Sequence, residues 1–332
     1  MTTGTSAAAT HHGAAGAGAF AHSGAATDAT GQVTRGILLA VLAMFLYALM
    51  DAFSKALVAK FDPSQIIIVR TVLALALGIA MALTREGIRA AFVTRQPVLQ
   101  LARGYCATAC MYAALGGLAL LPLADAVTIT YSAPIVATLL AIPILGETIG
   151  WRRFAAVFVG FVGVVIVARP GGDTVGWGLV LALVGMLLYA LCTNLTRRLG
   201  RTDSGLTTHL YTQVCFLSVA LPLSLFVWIT PSPMEALLLL CAGLAGALGI
   251  YLITLAGTMA PPAAVAPADY TIILWGALLG MMIWGDIPDG ASWFGMVIIA
   301  ASGLYIAQRE FATSPLNRTG SWYLWARRHR PL

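Results

Sequence analysis

The chain has 332 residues, 59% of them hydrophobic and only 10% charged, with a mean hydropathy of +0.87 and a formal net charge of +6. Soluble domains carry roughly 25% charged residues, so this composition excludes a water-soluble enzyme or binding module. It indicates an integral membrane protein.

Residues 1–33 are mostly Ala, Gly, Thr and Ser, with no Lys or Arg before Arg35. That is not a secretory signal, which needs a basic start and an apolar centre, and the segment reads as a disordered tail. His11 and His12 have no neighbouring Cys or carboxylate, so they make no metal site. Thereafter runs of about 20 apolar residues recur, the length an α-helix needs to cross a bilayer. Ten are predicted, at 36–58, 65–83, 98–120, 124–145, 151–168, 176–199, 206–229, 235–259, 263–284 and 290–307. No polar stretch between them is long enough for a soluble domain.

The first span opens with GILLAVLAMFLYAL, which contains Tyr47, and runs into Asp51 and Lys55. An ionisable group in a span is costly and faces the bundle interior or a polar cavity. Asp51 either pairs with Lys55 one turn later or lines, with it, the outer mouth of a cavity; Arg70 in the second span suits either arrangement. The cysteines, Cys106 and Cys110 in the third span and then Cys192, Cys215 and Cys241, all fall inside spans. They suggest neither a disulfide framework nor a metal site. The fourth span carries Tyr131 between Thr130 and Ser132 and closes on Gly146 and Glu147. The sixth, GLVLALVGMLLYAL, matches the opening of the first at eight of fourteen positions and brings Tyr189, Asn194 and Arg197. The seventh offers His209 and Gln213, and the eighth a smooth face of Gly243, Gly246 and Gly249. In the ninth, Pro261, Pro262 and Pro267 precede Asp269, Tyr270 and Trp275, and Gly276 and Gly280 form GxxxG. The prolines predict irregular backbone there. Asp269 either bonds His209 or Gln213, or holds a cationic or ring-bearing solute together with the nearby aromatic side chains. The glycine faces suit close packing of helices within the chain or in a homodimer. Residues 309–332 form a basic and aromatic tail, with Trp322, Tyr323, Trp325, Arg327, Arg328 and Arg330. Such a segment favours an anionic lipid surface over nucleic acid.

The two similar openings start 142 residues apart, while Tyr131 and Tyr270, and Gly146-Glu147 and Gly285-Asp286, are 139 apart. Each half, 34–169 and 174–308, therefore holds five spans, and an odd number makes the halves an inverted repeat. With a cytoplasmic amino terminus, 15 of the 19 basic residues fall on the inner side and four, Lys55, Lys60, Arg70 and Arg169, on the outer. The positive-inside rule then puts both termini in the cytoplasm. The fold class expected is all-α integral membrane, with ten transmembrane helices as two inverted five-helix repeats.

The segment LPLADAVTITYSAPIVATLLAIPILGE, the Gly160 and Gly163 that follow, and the second version APPAAVAPADYTIILWGALLGMMIWGD resemble the EamA-type repeat of the drug/metabolite transporter superfamily. The resemblance covers residues 36 to 307, and Asp286 stands where the family usually has Glu. It implies a carrier in the cytoplasmic membrane with a central cavity, moving small organic solutes. MDAFSK in the first span and LTRRLGRTDS after the sixth are similar to a bacterial subset that includes transporters of cofactor-like molecules such as riboflavin or S-adenosylmethionine. Other readings stay open: an exporter of amino acids or other small metabolites and, from another class, a non-transporting scaffold or an intramembrane enzyme. No phosphate loop, HExxH, GxSxG or paired-cysteine motif is present, so neither ATP hydrolysis nor a cofactor is called for.

Overall fold

A computed structural model describes residues 14–85, 87–147, 150–169, 176–260 and 262–313. Among these, all regular structure is helical: α1 (Ala14–Val58), α2 (Pro63–Arg85), α3 (Ile88–Ala91), α4 (Pro97–Leu120), α5 (Leu123–Tyr131), α6 (Ala133–Leu145), α7 (Trp151–Ala168), α8 (Trp177–Leu199), α9 (Gly205–Val227), α10 (Pro233–Met259), α11 (Pro262–Asp269), α12 (Thr271–Trp284) and α13 (Gly290–Thr313). Among the described residues, nine helical segments are long and apolar enough to cross a bilayer. The chain is a multi-pass membrane protein. The segment missing from those nine is α4, whose 24 residues would span about 36 Å at 1.5 Å per residue. Its polar groups are taken up by protein, with Gln100 and Thr108 buried between neighbouring helices.

Two features differ from the sequence reading, the start of the first helix and the break in the fourth span. α1 begins at Ala14, well ahead of the predicted start of the first span, and alanine, the strongest helix former, recurs through residues 14–33. Residues 1–13, with His11 and His12, and residues 314–332, with most of the basic and aromatic tail, lie outside the described residues. The fourth and ninth spans are each two helices. α5 stops at Tyr131 and α6 starts at Ala133, with Pro134 in the first turn of α6; α11 stops at Asp269 and α12 starts at Thr271. Proline at such a point removes a backbone donor and crowds the preceding turn.

Both composite spans end in the same corner. Gly146 (φ 69°) and Gly285 (φ 71°) adopt the left-handed conformation. The amides of Glu147 and Asp286 reach back to the carbonyls of Ala141 and Gly280, at 3.4 and 3.3 Å. This closes the helix in a Schellman-type cap, and glycine takes the positive φ without a Cβ clash.

α1 packs against α10, α4 against α8, α2 against α9, and α7 against α13. Lipid is as apolar as leucine, so small residues that admit close contact carry the packing. A Cβ on Gly163 would meet the Gly295 carbonyl at 3.0 Å, and one on Gly295 the Gly163 carbonyl at 2.9 Å, which brings α7 and α13 backbone to backbone. The glycine faces read from the sequence are occupied inside the chain: Gly243, Gly246 and Gly249 receive Leu73, Met50 and Tyr47, and Gly276 receives Val127. They serve close packing within the bundle.

Polar ties join the two halves at each end of the bundle. At the end marked by Lys60, the Lys60 ammonium meets Glu235 at 2.6 Å and Gln65 exchanges hydrogen bonds with the backbone of Ile229. At the opposite end, marked by Arg197, the Asp203 carboxylate accepts from the Thr94 hydroxyl, the Gln100 amide (2.9 Å) and the Arg95 backbone N–H (3.1 Å). Those bonds, the one from Thr94 above all, hold the Asp203 carboxyl below the usual carboxylate range. A depressed value contributes stability above the unfolded pKa of about 3.9, and this tie is lost as pH falls below it.

The closest approach in the bundle gives a direct test. No Cβ fits on Gly303, where the Tyr270 ring lies, whereas a Cβ on Gly257 meets nothing. Gly303→Val is expected to destabilise the protein by about 1–3 kcal/mol and Gly257→Ala to stabilise it by about 0.5–1 kcal/mol, measured by thermal unfolding in detergent.

Candidate functional site

The residues that meet at the centre of the bundle come from both halves. α1 supplies Tyr47 and Asp51, one turn apart on one face; α2 supplies Arg70; Tyr131 stands at the α5–α6 break; α8 supplies Tyr189, and Asp269 ends α11. The Tyr47 phenol lies in the fields of Tyr189, Asp269, Arg70 and Asp51, and its ring rests on Gly249. The Tyr131 ring meets that of Tyr189 edge-on, with centroids 5.9 Å apart and planes at 79°. Tyr131 also hydrogen-bonds to Asp51. Tyr189 keeps 39% of its surface accessible and is the most open of these rings.

The two acids at this centre are in opposite situations. Asp51 is buried, with the Tyr131 hydroxyl bonded to it and the Arg70 guanidinium beside it. Arg70 is steadied in turn by Ser54 Oγ at 3.3 Å and Met50 Sδ at 2.8 Å. Asp269 is half-buried and acts electrostatically on Tyr47 and Tyr189. Among the described residues, no hydrogen bond or ion pair is seen for its carboxylate. An acid so placed is a ready partner for a cation, with aromatic faces alongside to hold a ring.

Several predicted site residues lie elsewhere. Lys55 does not pair with Asp51. Its ammonium donates to the carbonyls of Leu118 (3.2 Å) and Leu121 (2.5 Å), lies 5.6 Å from the Trp284 ring centroid, and feels the charge of Asp286. The last carbonyls of α4 lack intrahelical partners and carry partial negative charge, so the lysine caps them. Asn194 is fully buried and spends its amide on the carbonyls of Ala137 (2.9 Å) and Ala190 (3.1 Å), tying α8 to α6. His209 bonds the Ala74 carbonyl at 3.1 Å and packs on Gly78, fastening α9 to α2; neither it nor Gln213 bonds Asp269. Tyr270 is buried against Gly303, and Trp275 meets the Phe45 ring edge-on at 5.1 Å. The two tyrosines equivalent by repeat, Tyr131 and Tyr270, therefore part company: the first faces the central acid and the second faces α13.

Sequence reasoning missed one interior cation. Arg103, counted there among the inner-surface charges, is half-buried on α4 and donates to the hydroxyls of Thr196 (3.1 Å) and Thr212. Its signal was the nearness of Gln100 one turn earlier, which marks a polar face too deep for a loop.

With this architecture in view, comparison with known proteins is decisive. The sequence pattern of the EamA-like transporter family matches residues 34–169. A riboflavin transporter of Rhizobium johnstonii is 30% identical over 222 residues, 67% of this chain and 74% of that protein. The chain belongs to the EamA-like transporter family. An S-adenosylmethionine uptake transporter of Rickettsia bellii is 27% identical over 217 residues, 65% of this chain and 75% of its own. A riboflavin transporter of Vibrio cholerae is 28% identical over 234 residues, covering 70% and 78%. A solved crystal structure shares the fold, with a TM-score of 0.59, 83% of this chain and 98% of that one covered, and 18% identity. The chain is a transporter of small metabolites.

The placement of the side chains separates structural from functional variants. Asn194→Ala and His209→Ala are expected to lower stability by about 1 kcal/mol each while leaving the apparent KM of the surviving protein within twofold of the parent. Thermal unfolding and uptake measured on the same preparations check this.

Proposed function

We infer that the chain is a secondary transporter that moves a cofactor-like metabolite, bearing a ring and a positive charge, across the cytoplasmic membrane by alternating access. The observation that carries this reading is Asp269, an acid in a membrane span with no partner seen among the described residues, beside Tyr47 and Tyr189. A sulfonium or amine next to that carboxylate and a ring against the tyrosines would balance the site. S-adenosylmethionine has both features. Riboflavin, the second candidate suggested by the relatives' names, would use the tyrosines and leave Asp269 unbalanced.

Alternating access is supported by the way the halves mirror each other. The repeat offset exchanges α1 with α8, α2 with α9, α4 with α10 and α7 with α13. Under that exchange the packing of α1 on α10 becomes the packing of α8 on α4, and α2 on α9 and α7 on α13 map onto themselves. We read all ten spans as crossing the membrane, with both termini cytoplasmic on the positive-inside rule.

The ends of the bundle add a second support. Arg197 is paired with Glu147 at 3.0 Å. The repeat equivalents of these residues are Lys55 and Asp286, and at the Lys60 end Lys55 is hydrogen-bonded to α4 carbonyls, with Asp286 acting on it through its charge. One of these two repeat-related ion pairs is made and its counterpart is not, the asymmetry expected of a carrier whose two ends alternate. No nucleotide-binding motif is present, so a solute or ion gradient supplies the driving force.

Purified protein in liposomes tests the reading. Saturable uptake of labelled S-adenosylmethionine is expected, and Asp269→Asn should lower kcat/KM about tenfold or more, the cost of removing a charge-assisted contact, with insertion unimpaired. Saturable uptake that is unchanged in Asp269→Asn would remove the acid from the site.

A further inference from the structure

Two arginines occupy the interior of the bundle at places related by the repeat. Arg70 sits against Met50 and Ser54. Adding the 142-residue offset to Met50, Ser54 and Arg70 leads to Cys192, Thr196 and Thr212. Those are the surroundings of Arg103. Its Nε donates to Thr196 Oγ1 at 3.1 Å, its guanidinium also donates to Thr212 Oγ1, and its backbone carbonyl receives the Cys192 thiol at 3.8 Å. The second half has a threonine where the first has Arg70, and α4 fills the vacancy with a guanidinium of its own.

The two surroundings differ by one acid. Asp51 accompanies Arg70, but the same offset turns Asp51 into Thr193, whose hydroxyl bonds the Tyr189 carbonyl at 2.9 Å. Among the described residues, the partners of the Arg103 guanidinium are two hydroxyls. Among the described residues no ion pair between Arg103 and a carboxylate is seen, and the groups that feel its charge include Tyr189, His209 and neighbouring cysteines. A guanidinium has five N–H donors in a planar fork matched to an oxyanion, and two bonds to neutral hydroxyls leave most of that capacity unused. Such a charge inside a span calls for an anion.

Asp269 has the complementary deficit, and the charges of Asp269 and Arg103 both act on the Tyr189 phenol. We propose that Arg103 binds the carboxylate of the transported solute, so that the solute is a zwitterion held between Asp269 and Arg103 across Tyr189. This rests on the carrier reading and adds the anionic end of the substrate to it. The hydroxyls that hold Arg103 keep other partners when it turns away, since Thr196 also donates to the Cys192 carbonyl (2.7 Å) and Thr212 to the Thr208 carbonyl (2.6 Å). The arginine can exchange them for a carboxylate without stranding a buried polar group.

Uptake into liposomes is compared for two pairs of labelled probes, S-adenosylmethionine with its decarboxylated form, and tryptophan with tryptamine. Each pair keeps the cation and the ring and differs in the carboxylate. The wild type is expected to favour the acid of at least one pair by about tenfold or more in kcat/KM. Arg103→Gln should bring that ratio close to one, and Arg103→Lys, which keeps a charge without the fork, should reduce it at least about threefold. If Arg103→Gln fails to insert, the ratio in Arg103→Lys decides. A wild type indifferent to the carboxylate, or a ratio that survives in the Arg103 variants while both probes of a pair slow equally, overturns the proposal and leaves Arg103 a structural tie. Absence of saturable flux in the wild type for every probe, riboflavin included, overturns the carrier reading itself.

Discussion

Hydrocarbon offers a peptide no hydrogen bonds, and the rest of this structure follows from that constraint. Each backbone donor and acceptor must be satisfied inside the bundle, which leaves helices as the means of crossing and makes every interruption of a helix a matter of local repair. The repairs are visible. Gly146 and Gly285 turn left-handed to close their helices, and the final carbonyls of α4 are capped by a lysine from α1. Where polar side chains enter the spans they are spent on the same task, as Asn194 and His209 are, unless another role holds them free.

That distinction organises the centre of the protein. Pairings of helices, composite spans and glycine corners recur in both halves. The charges do not. In one half the charge of Asp51 acts on Arg70, while for Asp269 and Arg103 no ion pair is seen among the described residues. In the proposed carrier a symmetric scaffold would let one motion serve both membrane faces, and an asymmetric set of charges would give the solute one orientation in it. The divergence between Asp51 and Thr193 after two nearly identical helix openings is where the two requirements separate.

Much of this was legible in the sequence, for a physical reason: apolar runs and repeat offsets are properties of composition and register. The offsets of 142 and 139 led to the equivalent helices and to the matching corners. Convergence of Tyr47, Asp51, Arg70, Tyr131, Tyr189 and Asp269 was likewise within reach, because polar groups in a span must face inward. The direction each side chain takes was not legible. Lys55 lies one turn from Asp51, which favours a pair, yet the orphan carbonyls of α4 come from a helix some sixty residues distant and win. Tyr270 matches Tyr131 by register but is drawn to the empty space over Gly303, which only packing reveals. Arg103 reads as a loop charge because hydropathy counts it against the span, and only Thr196 and Thr212, from two other helices, give it an interior place.

In the proposed transport cycle one end of the frame opens while the other closes. Paired spin labels, one pair bridging the ends of α1 and α12 beside Lys55 and Asp286 and one bridging the ends of α8 and α6 beside Arg197 and Glu147, would report both ends in the same liposomes. Glu147→Gln is expected to lengthen the distance at the Arg197 end and to shorten it between α1 and α12, because the made ion pair is released and the other can form. Distances that change at one end alone, or in the same direction at both, would contradict alternating access by this frame.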